Sequence, residues 1–198
     1  MERLRRDSQI RTDRCIIRPP RHGDYTAWAT LRSESRAFLE PWEPRWPGDA
    51  LTPSDWKRRM RAWRSGWAAD KAYVFLIFER SSARLVGGAS LSHVRRGPAM
   101  MASLGYWLGK WAEGHGFMAE AVEAVCGWAA DILELERIEA ATVPENVRSQ
   151  KVLDRCGFER EGYARAYLEI AGKRRDHVLF ARTIGDGGDT VPTKGAVR

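Results

Sequence analysis

Cysteine is scarce in this chain, with three in 198 residues, at positions 15, 126 and 156. The number is odd and the spacing suits no metal, which excludes a disulfide framework and leaves buried free thiols in a reducing compartment. The four histidines sit in no ligand cluster, so no metal is expected. No run approaches the roughly 20 apolar residues that a membrane-spanning helix needs. The N-terminal MERLRRDSQIRTDR is basic but lacks the apolar core of a secretory signal, so a cytoplasmic location is the default expectation. There is no GKS or GKT run, which excludes an ATP-type P-loop. A Rossmann site would need GxGxxG near the first strand and an acidic residue about 20 positions later, and that pattern is missing too. No internal repeat is evident.

What remains is enough for one domain. The chain is 43% hydrophobic and 30% charged, with a formal net charge of +7 carried mainly by arginine. Such a balance favours a polyanionic cofactor, nucleic acid or another acidic surface, or else marks a solvated basic face. Residues 1–13 read as a flexible basic arm, 14–184 as the folded domain, and 185–198 as a Gly-rich disordered tail.

Hydrophobic periodicity and turn residues divide the domain into elements. Cys15–Arg18 is a short strand closed by Pro19 and Pro20. Asp24 is placed to cap a helix running to about Leu39. Leu39–Pro53 carries four prolines and two tryptophans and is a loop. Thr52 or Ser54 then caps a helix to about Ala69, with Trp56, Met60, Trp63 and Trp67 at helical spacing. Strands follow at 72–78, 85–94 and 100–108, and Gly87-Gly88 suggests a bulge or close packing. A helix over Gly116–Leu133 turns Ala121, Val122, Val125, Trp128, Ala129 and Ile132 to one side. A strand over Arg137–Val143, a helix opened by Pro144-Glu145-Asn146, and a hairpin turning at Ala171-Gly172 complete the chain. The order is that of an α/β (α+β) domain with one mixed sheet flanked by helices.

Two segments carry chemistry. In Ala102–Asp131, glycines at 114 and 116 stand where a strand gives way to a long helix. A helix start with unpaired N–H groups and a positive dipole end suits a phosphate. In Glu136–Gly162, a strand ends, Asn146 opens a helix, Ser149 follows three residues later, and Gly157-Phe158 closes it. Together these resemble the GCN5-related N-acetyltransferase (GNAT) superfamily. FLEPWEP at Phe38–Pro44, LGYWLG at Leu104–Gly109, Glu145-Asn146-x-x-Ser149 and RAYLEIAGKRRDH at Arg165–His177 resemble its RimJ/RimL branch, which acetylates the N-termini of ribosomal proteins.

The resemblance implies a GNAT-like fold: a mixed, mostly antiparallel seven-stranded sheet, four flanking helices and splayed central strands. It implies acetyl-CoA as the acetyl donor, without a metal. The cofactor-binding residues would be Trp107, Leu108, Gly109, Gly114, His115, Gly116, Phe117, Met118, Asn146 and Ser149, with a backbone amide of Trp107 or Leu108 as oxyanion donor. Trp42, Trp46, Tyr106 and Tyr167 would wall the acceptor site. Catalytic roles fall to Ser149, as acid toward the CoA thiolate, and to Glu139 or Glu169, as base. Three positions depart from the wider family pattern. Trp111 replaces a Gln or Arg before the turn. Leu153 replaces a tyrosine acid. Leu168 stands where a glutamate base is expected, with Glu169 next to it. The branch implies a protein N-terminus as acceptor, that of ribosomal protein S5 with its N-terminal alanine, by direct transfer in a ternary complex. A small amine or antibiotic acceptor, and a non-catalytic ribosome-assembly factor touching rRNA, are the alternatives. Either a monomer or a homodimer is compatible with the sequence.

Overall fold

A computed structural model describes residues 9–184. The expected disordered tail, and all of the expected arm before residue 9, lie outside the described residues. The rest of that arm does not hang free: Ile10–Arg11 (β1) pairs antiparallel with Ile16 and Ile17 of Cys15–Arg18 (β2).

The first helix is shorter than expected. Tyr25–Glu34 (α1) ends at Ser35, whose backbone leaves the helical region, and a one-turn helix, Arg36–Leu39 (α2), follows. The Ser35 hydroxyl leaves the helical pattern to accept the Lys110 amide at 2.9 Å. Asp24 does not cap α1 with its side chain. Its carboxylate instead holds the Arg18 guanidinium at 2.7 and 2.8 Å and the Arg21 amide at 2.6 Å. Pro53–Ala68 (α3) starts as expected, with Thr52 accepting the Asp55 amide at 3.2 Å. Its Trp56, Met60 and Trp67 are buried.

Tyr73–Glu79 (β3), Leu85–Arg95 (β4) and Met101–Leu108 (β5) form an antiparallel meander. Phe117–Leu133 (α4), Arg137–Thr142 (β6) and Val147–Arg155 (α5) follow, then the hairpin Glu159–Ile170 (β7) and Lys173–Thr183 (β8). Among the described residues the sheet has eight strands, not seven, in the order β1-β2-β3-β4-β5-β6-β8-β7, and α2 raises the helices from four to five. The extra strand is β1, too short at two residues to register as a period in sequence.

One strand pair shapes the function. β5 and β6 are the parallel pair in the sheet, and they pair only over Met101–Ser103 and Arg137–Glu139. Beyond Ser103 and Glu139 the two strands part, each still held on its far side, β5 by β4 and β6 by β8. The splay leaves two facing strand edges whose backbone groups have no partner strand, a V-shaped opening through the sheet.

The core lies between the sheet and α4. Ala121, Val122, Val125 and Ala129 of α4 pack with Phe75, Leu91, Leu104 and Ile138. Ile132, expected on this face, is 44% exposed, and Leu133 takes its place in the core. A second cluster joins Trp28, Leu31, Trp56 and Met60 to the other side of β3. All three cysteines are free and buried. Burial pushes the thiol of Cys126 up to about 12 and that of Cys156 up to about 11, so both stay protonated and inert at neutral pH. No helix of the described residues is long and apolar enough to cross a membrane, and no group of three metal-ligating side chains occurs among them.

Candidate active site

A single cavity of about 830 Å³ follows the splay through the sheet. At one end it is bordered by Gly114, Gly116 and Met118 at the start of α4. It then runs past Asn146, Ser149, Tyr106 and Leu108, and ends among Trp42, Glu139, Tyr167 and Leu168.

The glycine end is built as expected. Gly114 and Gly116 both have φ of +80°, a left-handed backbone that any side chain would strain. A Cβ at Gly114 would meet nothing within 4 Å, so the requirement there is conformational, not steric. Gly116 is the N-cap of α4 and supplies no side-chain cap, which leaves the first amides of a 17-residue helix unclaimed by a capping side chain. The turn is braced from behind. Arg14 donates from Nη1 to the His115 carbonyl at 2.8 Å and from Nε to Glu120 at 2.7 Å. His115 and Phe117 do not line the cavity: the His115 ring stacks at 26° to that of Phe117, which is buried. Gly109 is also absent from the lining, because a Cβ there would strike Leu31 Cδ1 at 2.4 Å. Trp111 turns to packing, with the Arg84 guanidinium 4.0 Å over its ring.

Arg148, Lys151 and Arg155 of α5 add positive charge to the same wall. Sequence reasoning passed over them, although spacings of three and four put them on one helix face.

The middle of the cavity separates two expectations for the oxyanion donor. The Gly109 amide donates to the Val86 carbonyl at 2.8 Å, toward β4. The Met100 carbonyl accepts from Glu136, toward β6. Backbone groups of alternate residues point the same way, so Tyr106 and Leu108 direct their amides into the splay while Trp107 directs its amide to β4. Of the two expected donors, only Leu108 turns its amide into the opening. Trp107 lines the cavity and is packed closely against β4: its ring would lie 2.6 Å from a Cβ on Gly88, and its carbonyl 2.2 Å from one on Gly87. Gly87-Gly88 is thus the close packing foreseen in the sequence, with a register shift beside it.

Asn146 and Ser149 come together as the N-terminus of α5. Asn146 Oδ1 accepts the Ser149 amide at 3.1 Å, and this cap leaves the carboxamide nitrogen out of the bond. The Ser149 hydroxyl lies 2.8 Å from the Tyr106 hydroxyl. Burial pushes the Tyr106 phenol up, against the opposing pull of the Ser149 bond, so it is neutral at any ordinary pH. Leu153 is fully buried and supplies no polar group. Thr142, on the β6 wall, has a buried hydroxyl with no hydrogen-bond partner.

At the far end, Glu139 lines the cavity but is already engaged, by Arg95 at 3.1 Å and by Arg137 at 3.3 Å. Arg137 also pairs with Glu161, whose carboxyl it holds below the usual range. Glu169 is exposed and lies outside the lining. The cause is a bulge: between Ala164 and Leu168, β7 spans four residues where β8 spans two. Ala166 takes a φ of +46°, and its amide is held by Asp176 at 2.8 Å. The kink brings both Tyr167 and Leu168 to the cavity, which strict alternation would forbid. Trp46 also stays out. It lies 4.7 Å from the Arg32 guanidinium and donates to Glu43 at 2.8 Å, sealing the Arg32–Glu43 ion pair, while Trp42 lines the cavity. His93, at a left-handed φ of +51°, and His177 also line the cavity and were not foreseen. The His177 Nδ1 lies 3.0 Å from the Arg175 carbonyl, which can only accept, so Nδ1 carries the proton.

A model of the acetyltransferase (GNAT) domain matches residues 14–159. This chain belongs to the GNAT acetyltransferase family. The GNAT match includes the glycine turn and Ser149. The chain is 36% identical over 178 residues to an Escherichia coli protein named [Ribosomal protein uS5]-alanine N-acetyltransferase, covering 90% of this chain and 92% of that one. Among solved structures it resembles ribosomal-protein-S5-alanine acetyltransferase from Vibrio fischeri, with TM-score 0.83 and 30% identity over 90% of this chain and 97% of the other. Mycobacterium smegmatis RimJ, solved in complex with CoA-disulfide, has TM-score 0.82 and 30% identity over 90% of this chain and 84% of that one. The GNAT enzyme described here thus shares its architecture with the RimJ/RimL acetyltransferases, as its sequence motifs suggested.

Proposed function

We propose that this GNAT enzyme transfers an acetyl group from acetyl-CoA to the α-amino group of a protein, with the N-terminal alanine of ribosomal protein S5 as acceptor. The observation that carries the reading is the continuity of one cavity from the glycine turn, through the β5–β6 splay, to Trp42 and Tyr167. The donor's diphosphate suits the unclaimed amides at Gly116, and its amide-bearing arm suits the open strand edges. Similarity to the uS5-alanine acetyltransferases supports the acceptor.

In this reading the Leu108 amide holds the developing oxyanion, and Ser149 gives a hydrogen bond to the departing sulfur. An α-amino group titrates near 7.7–8.0, so the acceptor needs modest help to lose its proton. Glu139 gives that help through water. Glu169 is the weaker of the two bases, because it is outside the cavity.

The test is turnover of a peptide bearing the S5 N-terminus with acetyl-CoA, followed by thiol release and peptide mass. We expect one acetyl group on the α-amine, and a loss of kcat/KM of about a hundredfold in Glu139→Gln, the low end for a general base, with Glu169→Gln near wild type. Acetylation of a small amine but not of the peptide would overturn the acceptor. A reversed order of the two glutamate variants would overturn the base.

A further inference from the structure

Tyr106 stands 43 residues from Ser149 in sequence and belongs to β5, yet its hydroxyl touches Ser149 twice. It lies 2.8 Å from Oγ and 3.0 Å from the backbone carbonyl oxygen of the same residue. A phenol has one proton, and a carbonyl can only accept. Two arrangements are therefore available. If Tyr106 donates to the carbonyl, the Ser149 hydroxyl turns its own proton back to the tyrosine oxygen and has none to offer the cavity. If Tyr106 donates to Ser149 Oγ, the Ser149 proton is free to point into the cavity. Burial, reinforced by the nearby Asp154 and Cys156, keeps the phenol neutral, so it remains a donor in either arrangement.

We propose that Tyr106 is a positioning residue for the leaving group: by donating to Ser149 Oγ, it turns the Ser149 hydroxyl proton onto the sulfur of the departing CoA. The inference rests on the acetyl-CoA reading above. When the carbon–sulfur bond breaks, the electron pair goes to sulfur, and the thiolate leaves as an anion hydrogen-bonded by Ser149. Its proton comes from solvent on release, so no buried tyrosinate or serine alkoxide forms. The position that holds a tyrosine acid in many relatives is Leu153 here, sealed in the core. In this chain the phenol reaches the serine from the neighbouring strand.

The experiment titrates the thiol of bound CoA by the ultraviolet absorbance of its thiolate, against protein holding desulfo-CoA as blank. A hydrogen bond to the thiolate lowers the thiol pKa. We expect Ser149→Ala to raise it by about 1.1–2.2 pH units, the equivalent of one hydrogen bond to a charged group. Tyr106→Phe should reproduce most of that rise with unchanged CoA affinity, and Ser149→Thr should stay near wild type. In turnover, Tyr106→Phe should lower kcat and leave the KM for acetyl-CoA in place. A Tyr106→Phe thiol that titrates like wild type overturns the proposal, as does a shift in Tyr106→Phe without one in Ser149→Ala, which would put the tyrosine itself on the sulfur. Failure of wild-type protein to bind CoA would instead refute the donor reading, and this inference with it. Thermal melting of the unliganded variants checks that loss of one oxygen leaves the fold intact.

Discussion

Replacing Glu120 by alanine should destabilise the protein by about 2–3 kcal/mol at neutral pH and loosen the glycine turn. Glu120 lies in the first turn of α4, where its carboxylate accepts the Thr12 hydroxyl at 2.5 Å, the Arg14 amide at 2.9 Å and the Arg14 Nε at 2.7 Å. Hydrogen bonds to a charged group contribute about 1.5–3 kcal/mol. Arg14 is 50% exposed, which discounts its ion pair to about 0.2–1 kcal/mol. Position at a helix N-terminus adds about 0.3–1 kcal/mol. These overlap, hence the total. For a chain of this size the fall in Tm is about 4–12 °C. The effect has a pH signature. Burial alone would raise the Glu120 carboxyl, but the Thr12 and Arg14 bonds outweigh it and hold it below its ordinary value. A depressed folded pKa gives stability that is complete above the unfolded value, about 4.3, and is lost as pH falls through the folded one. The gap in Tm between wild type and Glu120→Ala should therefore be full at neutral pH and narrow below about pH 4. Because Arg14 also holds the His115 carbonyl, affinity for acetyl-CoA should fall in step. Calorimetric melts across that range, with CoA titrations, test it. A Tm difference that is absent at neutral pH, or undiminished in acid, would refute the reasoning.

Two glycines separate strain from collision. Gly116→Ala places a Cβ at φ +80° and should cost about 1–2 kcal/mol, with weaker CoA binding. Gly116→Asn should recover part of both, since asparagine tolerates that region, and equal losses in the two variants would argue against backbone strain. Gly87→Ala drives a Cβ to 2.2 Å from the Trp107 carbonyl, between two paired strands that cannot separate. Its cost should reach about 3 kcal/mol or more, seen as a lower urea midpoint, and a near-native midpoint would mean that β4 and β5 are less closely apposed.

The sequence by itself determined the donor half of this enzyme, because that half is local. A glycine pair before a long amphipathic helix, and an asparagine three residues ahead of a serine, carry their geometry in backbone conformation and capping. Both motifs reappear in the fold where the spacing put them. Turn residues and periodicity likewise located every strand of four residues or more. Tertiary structure alone decided the other end of the cavity. Strand parity chose Leu108 over Trp107 as an inward amide, and the Ala166 bulge brought Tyr167 and Leu168 to the cavity while Glu169 stayed outside. Trp46 sealed an arginine where a substrate wall was expected. The meeting of Tyr106 with Ser149 depends on how β5 and β6 part. Capping and helical periodicity act over three or four residues and can be read in order. Bulges and register join residues dozens apart, and are fixed only when the whole sheet is paired.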